Sequence, residues 1–340
     1  MLVMGKPFGA WCFFLLPLVF FAACASRPPP VAQREYVAVV SPPQVSVEQI
    51  LRRVQQNGSD IEKHFTLDED GRITVGASLR DNGDDYDVTY DLENAEALGD
   101  ASYAVRFVVQ ARKSGLRLED TLVWKPRASK TGLLLSFDDD YTDSWQRHFD
   151  LFDQYGARAT FFVIGTPGPF PARAISRGHD VGYHSLGHID LRQLSRAAFA
   201  SQTIEPLEPF RRAGVPLSSF AYPFGFYEPW MHEALSRSFG VLRGYGTTFR
   251  LYHESKIHSA FIISCAIDNT VIPGDEHFNR SITAMLRTVK FLDGGLVLPL
   301  TTHDISDAAW GISRRRLEFL LKTATELGLV FYRYSDFAVP

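Results

Sequence analysis

Residues 131–340 predict an α/β fold built on a mostly parallel sheet, closed as a barrel or open, and residues 45–125 predict a small α+β or β-rich domain ahead of it. Two observations carry this. After Gly132, apolar runs of strand length alternate with helix-length segments, the rhythm of a parallel sheet with crossover helices. Before it, four strand-like runs follow one another closely, with Tyr86, Val88, Tyr90 and Leu92 alternating most cleanly.

The 340 residues are 45% hydrophobic and 22% charged, an ordinary globular balance for one large domain plus a smaller one. A formal net charge of -4 without a basic stripe argues against nucleic acid as a partner. The first residues differ from the rest. Lys6 precedes the apolar stretch "FGAWCFFLLPLVFFAA", which is short and interrupted by Pro17, and Cys24 follows. This is the pattern of an export signal over residues 1–23. "FAAC" resembles a bacterial lipobox, which implies a lipid on Cys24 and a membrane-anchored, cell-envelope protein; a plain cleaved signal and an uncleaved anchor are the alternatives, and all three export the chain. Residues 24–44, with "RPPP" and "SPPQ", read as an extended tether. Cys12 lies in the signal, so Cys265 has no partner after lipidation of Cys24, and its place in "FIISCAID" suits a small buried hydrophobe.

"SVEQILRRVQQNG" predicts a helix: Ser46 and Gln49 form a capping box, Val47, Ile50, Leu51 and Val54 share a face, and Asn57-Gly58 ends it. The runs "ITVGASL", "YDVTYDL", "YAVRFVVQAR" and "LRLEDTLVW" then predict four strands, and "KPRASKTG" is a linker. Nothing in residues 45–125 suggests catalysis; a spacer or docking module is the expected role.

Beyond the linker, "LLLSF" and "ATFFVIG" predict strands around one helix through Trp145, Phe149, Phe152 and Tyr155, ended by Gly156. Further strands are expected at "DVGYHS", "SSFAYPFG", "VLRGYG", "FIISCAID", "GLVLPLTTH" and "GLVFYRY". Ligands of parallel α/β sheets bind at the carboxyl ends of strands, and polar residues gather there: Asp138-Asp139, His184 with His188, and His303. Asp140, Thr142, Asp143 or Ser144 would equally cap the next helix. If the chain turns helically after His184, the i, i+4 spacing sets both imidazoles on one side. Two histidines and a carboxylate suit a divalent metal that keeps positions open for water and substrate.

In this order the segments resemble the polysaccharide deacetylases of the NodB-homology type, carbohydrate esterase family four. "SFDDDYTD" resembles its T-F-D-D-G motif, "GHDVGYHSLGH" its G-H-E-I-G-N-H-[ST]-x-x-H motif, "FAYPFG" its third motif and "LVLPLTTH" its L-x-L-x-H motif. The resemblance spans about residues 131 to 336. It implies a distorted (β/α) barrel with fewer than eight strands, and N-deacetylation of an N-acetylated glycan such as peptidoglycan or an exopolysaccharide, with release of acetate. It also implies one divalent ion, expected to be zinc, on Asp139, His184 and His188, with Asp138 as general base and His303 as general acid. The backbone N–H of Phe224, with Tyr222 and Pro223 beside it, would meet the reacting carbonyl.

Several residues depart from that pattern. Asp140 replaces a usual Gly, Phe224 a usual Tyr, and Ala221 stands where many members carry an Arg that braces the base. Arg243 is the candidate replacement for that Arg, and Asp268 the candidate for the Asp that tunes the acid. Tyr141, Tyr183, Trp230 and Trp310 are candidates for stacking on sugar rings, with core packing expected for most. Two other readings exist. An inactive carbohydrate-binding relative would need neither Asp138 nor His303, and an iron oxygenase triad usually has a closely spaced H-x-[DE] on an antiparallel barrel.

Overall fold

A computed structural model describes residues 51–338, except 53, 56–60, 70–71, 82 and 258–260. The segments read as an export signal and a tether, Cys24, and the expected Ser46–Gln49 capping box lie outside the described residues. Leu51, Arg52, Val54 and Gln55 are helical, and Val54 is buried.

Strands β1 (Lys63–Leu67), β2 (Ile73–Asp81), β3 (Asp84–Gly99), β4 (Ser102–Ala111) and β5 (Arg117–Trp124) form an antiparallel sheet in sequence order. Four of them fall on the runs read from the sequence. β1 was not among these, because "KHFTL" is short and half polar. Alternation sends Val75, Ala77, Tyr86, Val88, Tyr90, Val105, Phe107 and Trp124 to a buried face. That face meets the long helix Asp275–Leu292. Tyr90 and Trp124 stand edge-on to Phe291 at 4.7 and 5.3 Å, and Arg287 donates to the Leu92 carbonyl oxygen at 3.1 Å. The small sheet thus covers one helix of the second domain.

That domain is a closed parallel barrel of seven strands: β6 (Gly132–Asp139), β7 (Thr160–Val163), β8 (Asp180–Tyr183), β9 (Ser219–Ala221), β10 (Val241–Gly246), β12 (Phe261–Ala266) and β13 (Leu296–Thr302). β13 returns to β6 in register from Val297↔Gly132 to Thr302↔Phe137. The wall is uneven along its length. β7 pairs with β6 only over Ser136–Asp139, while β14 (Val330–Tyr332) takes Gly132–Leu134. Likewise β12 meets β13 at Leu300 and Thr301, and β11 (Tyr252–His253) pairs antiparallel at Leu296 and Val297. The ring is therefore tight at the carboxyl ends and splayed at the other. The interior holds Leu134, Phe162, Ala221, Val241, Ile262 and Val297, with Tyr334 and Phe337 from the chain's last turn packed among them.

The single helix expected after β6 is two, Thr142–Arg147 and Phe149–Gln154. His148 breaks it at φ -111°, its Nδ1 bonding the Ser144 carbonyl oxygen at 2.8 Å. The N-cap of the first is Tyr141, with no side-chain cap, so none of the carboxylates of "DDD" caps this helix.

Candidate metal centre and its flanking acid and base

The end of β6 delivers two adjacent carboxylates to one place although neighbouring strand residues face opposite ways. Asp138 points inward and is 2% exposed. Asp139 has φ 85°, a left-handed conformation rare for a residue with a Cβ, and this turns its carboxylate back over the rim.

There it meets the chain leaving β8. His184 and His188 are not on a helix. Ser185 at φ 72° and His188 at φ 47° fold a bend, tied by the His188 N–H to Ser185 Oγ at 3.0 Å, and the two rings lie 4.9 Å apart. The turn is thus not helical, and left-handed residues bring the two rings together. Asp139 Oδ1 lies 3.5 Å from His184 Nε2 and 3.2 Å from His188 Nε2. His184 Nδ1 sits 2.8 Å from the Ala221 carbonyl oxygen and must be its protonated nitrogen, since a carbonyl only accepts. In neutral His184 the Nε2 lone pair then faces a carboxylate oxygen, and a cation between them relieves the repulsion. Asp139, His184 and His188, with one ligand atom from each within 4.8 Å of the others, thus fit a metal ion. Burial disfavours the charged Asp139, yet His184, His303 and His188 hold its pKa below the ordinary value. Burial, then the neighbouring His184, lowers that of His188.

Asp138 pairs with Arg243, not with the histidines. Arg243 Nη2 donates to Oδ2 at 2.5 Å, both side chains being almost wholly buried, while Oδ1 has no hydrogen-bonding partner among the described residues. Arg243 lies directly opposite Ala221 in the parallel register of β10 and β9. The guanidinium absent from Ala221 is supplied from the facing position on the next strand.

On the other side, His303 Nδ1 lies 3.0 Å from Asp268 Oδ1, which also accepts from Thr302 Oγ1 at 2.7 Å and the His303 N–H at 3.2 Å. Burial opposes the imidazolium, but the Asp268 bond and the charges of Asp138, Asp268 and Asp139 outweigh it and raise the His303 pKa. Trp145 Nε1 donates to the His303 carbonyl oxygen at 2.8 Å, a support the sequence reading did not single out.

After β9, Phe224 takes φ 59°, and its ring lies 4.5 Å from His188. Gly225 follows at φ 71°, where a Cβ would come within 2.9 Å of Tyr245. The Tyr222 side chain turns into the core, its hydroxyl 2.7 Å from His232 Nδ1, so only its backbone faces the Phe224 turn. Of the stacking candidates, Trp310 is exposed with its ring 5.8 Å from that of His303, and Tyr141 is partly exposed. Tyr183 is core, and Trp230 packs on Phe199.

The polysaccharide deacetylase family model matches residues 125–240, ending just before Arg243. Among solved structures, the chain is similar to a peptidoglycan deacetylase from Bacillus subtilis, with 17% identity and TM-score 0.40 over 63% of this chain and 92% of that one. A chitin deacetylase from the fungus Colletotrichum lindemuthianum gives 19% identity and TM-score 0.44 over 61% and 87%. A family 4 carbohydrate esterase from Streptomyces lividans gives 19% and 0.40 over 59% and 92%.

Proposed function

We propose that the chain hydrolyses N-acetyl groups of a cell-envelope or extracellular glycan, peptidoglycan or an exopolysaccharide, with the help of one divalent metal ion, a reading supported by the match of residues 125–240 to the polysaccharide deacetylase family model. The observation that carries this reading is the pair of braced groups flanking the Asp139, His184 and His188 cluster: Asp138 on Arg243 and His303 on Asp268. A site for binding alone needs neither.

An N-acetyl amide is a poor electrophile with a poor leaving group. A divalent ion held by Asp139, His184 and His188 would acidify a bound water and polarise the acetyl carbonyl, and their nitrogen and oxygen donors suit zinc. Asp138 Oδ1 takes the proton as the water oxygen bonds to the acetyl carbon, while Oδ2 stays on Arg243. The Phe224 N–H donates to the oxyanion of the tetrahedral intermediate. His303 Nδ1 is engaged by Asp268, so Nε2 gives its proton to the glycan nitrogen as the C–N bond breaks. Acetate and an amine leave, and the proton gained by Asp138 balances the one lost by His303.

The test is acetate release from a panel of N-acetylated polymers, with chelator and with added metals. Metal-restored release from one of them is expected; binding with no release from any polymer would refute the enzyme reading. We also propose export and lipidation at Cys24, supported by the signal-like segment and "FAAC". Mass spectrometry of the mature terminus should find diacylglyceryl-Cys24, and an unmodified terminus elsewhere would refute it.

A further inference from the structure

Arg243 carries five N–H donors, and one meets Asp138. Its Nε and Nη1 are buried with no partner among the described residues, and the residue as a whole is 0% exposed. A guanidinium in the middle of a barrel is costly unless its other hydrogens are accepted. Three hydroxyls of the same interior, Ser219, Ser264 and Tyr334, are also buried without a hydrogen bond among the described residues. Tyr334 is the informative one, because it comes from the turn after β14 and enters the barrel from the splayed end.

Its backbone is held in place. The Tyr334 N–H donates to Thr160 Oγ1 at 3.0 Å, Thr160 Oγ1 donates to Asp180 Oδ2 at 3.0 Å, and the Ser335 N–H donates to the same oxygen at 3.1 Å. Its ring stands edge-on to Phe162 at 5.0 Å, and the Arg243 guanidinium lies over Phe162, also at 5.0 Å. The hydroxyl lies beside Ser136 and Ser264, within reach of the charges of Arg243 and Asp138. Ser136 Oγ donates to Thr301 Oγ1 at 3.1 Å, whereas Ser264 Oγ and the Tyr334 hydroxyl make no hydrogen bond among the described residues and keep their lone pairs free.

We propose that Tyr334 is a positioning residue for the reaction: with Ser264, and through enclosed water, it accepts the Nε and Nη1 hydrogens of Arg243 and so holds the guanidinium fork against Asp138 Oδ2. The fork's orientation then decides which Asp138 oxygen is left for the reacting water. Enclosed waters commonly join buried polar groups in this way. The inference rests on the reading of Asp138 as base. It extends the site from its rim to the far end of the barrel, through a residue that touches neither substrate nor metal ligands.

Steady-state kinetics, metal content and thermal unfolding of Tyr334→Phe, Ser264→Ala, Arg243→Lys and the Tyr334→Phe/Arg243→Lys pair test it. Phe keeps the ring against Phe162 and removes only the oxygen. Each single variant should lower kcat by about 10-fold, the scale of an outer-shell partner, with KM and bound metal unchanged. Lys keeps the charge but lacks the fork, so Tyr334→Phe should cost nothing further in that background. Losses that multiply in the double variant, or kcat unchanged in both hydroxyl variants, would overturn the proposal; if Tyr334→Phe does not fold, Ser264→Ala decides alone. A crystal structure of the whole protein should show ordered water bridging Nε or Nη1 to one of the two hydroxyls, and a dry contact there would count against it. Failure of the underlying reading is visible separately, as full turnover by Asp138→Asn.

Discussion

Replacing Arg243 by Met tests the braced base most directly, because it removes the cation and keeps much of the apolar volume. Arg243 and Asp138 are in contact at 2.5 Å with side chains 0% and 3% exposed, so solvent screens the pair little. At an effective dielectric of about 20 an ion pair at contact attracts by roughly 4 kcal/mol. Desolvation of both ions offsets much of this in the intact pair. Removing one partner leaves the other's desolvation uncompensated, and the expected loss is about 3–5 kcal/mol. Asp138 can escape part of that cost only by taking up a proton, which would disable it as a base. Arg243→Met should therefore unfold at markedly lower denaturant concentration at neutral pH and lose roughly 10²–10⁴-fold in kcat, the usual worth of a general base. Adding Asp138→Asn removes the orphaned charge, so the double variant should recover most of the stability and none of the activity. A loss below about 1 kcal/mol in the single variant, with kcat retained, would refute the idea that Arg243 holds the base.

The other predictions divide the roles within the site. His184→Ala and His188→Ala should each lose most bound metal by elemental analysis, whereas Asp138→Asn should keep it and lose turnover; equal metal loss in all three would contradict the separation of Asp138 from Asp139. His303→Ala should lose far more rate on an N-acetyl amine than on an activated acetate ester, whose leaving group needs little protonation; equal losses with metal and fold intact would remove His303 as the acid. The Asp268 bond and the nearby carboxylates raise the His303 pKa against the opposing effect of burial, and the acid must be charged to act, so activity falls as pH rises through that raised value. Asp268→Asn should shift this alkaline limb to lower pH, and an unmoved limb in the pH–rate profile would show that Asp268 does not tune His303.

The parts of the site written in short segments were legible early. Asp138-Asp139, His184 with His188, and His303 each close an apolar run, and their recurrence at several strand ends, rather than any one of them, pointed to a site over helix capping. Arg243 was harder. Ala221 signalled a missing cation, but many arginines lie downstream, and only the pairing of Arg243 with Ala221 across β10 and β9 shows that the replacement stands at the same height in the barrel. The same limit applies to Tyr334: its sequence neighbours suggest a strand end, while its ring occupies the interior beneath Phe162. The i, i+4 spacing of the histidines would set both rings on one side of a helical turn, whereas positive φ at Ser185 and His188 produced the convergence without one.

By itself, the amino-acid order determined what is local: strand and helix rhythm through hydrophobic period, the point where each strand ends, and the chemical types gathered at those ends. Tertiary structure alone decided which ends meet. Closure of β13 on β6 brings His303 to the mouth that Asp138 shares, the small sheet covers the helix that ends at Leu292, and the last turn enters the barrel from below. These are contacts between residues far apart in the chain. Their geometry follows from strand register and ring closure, quantities to which every strand contributes and which no single segment encodes.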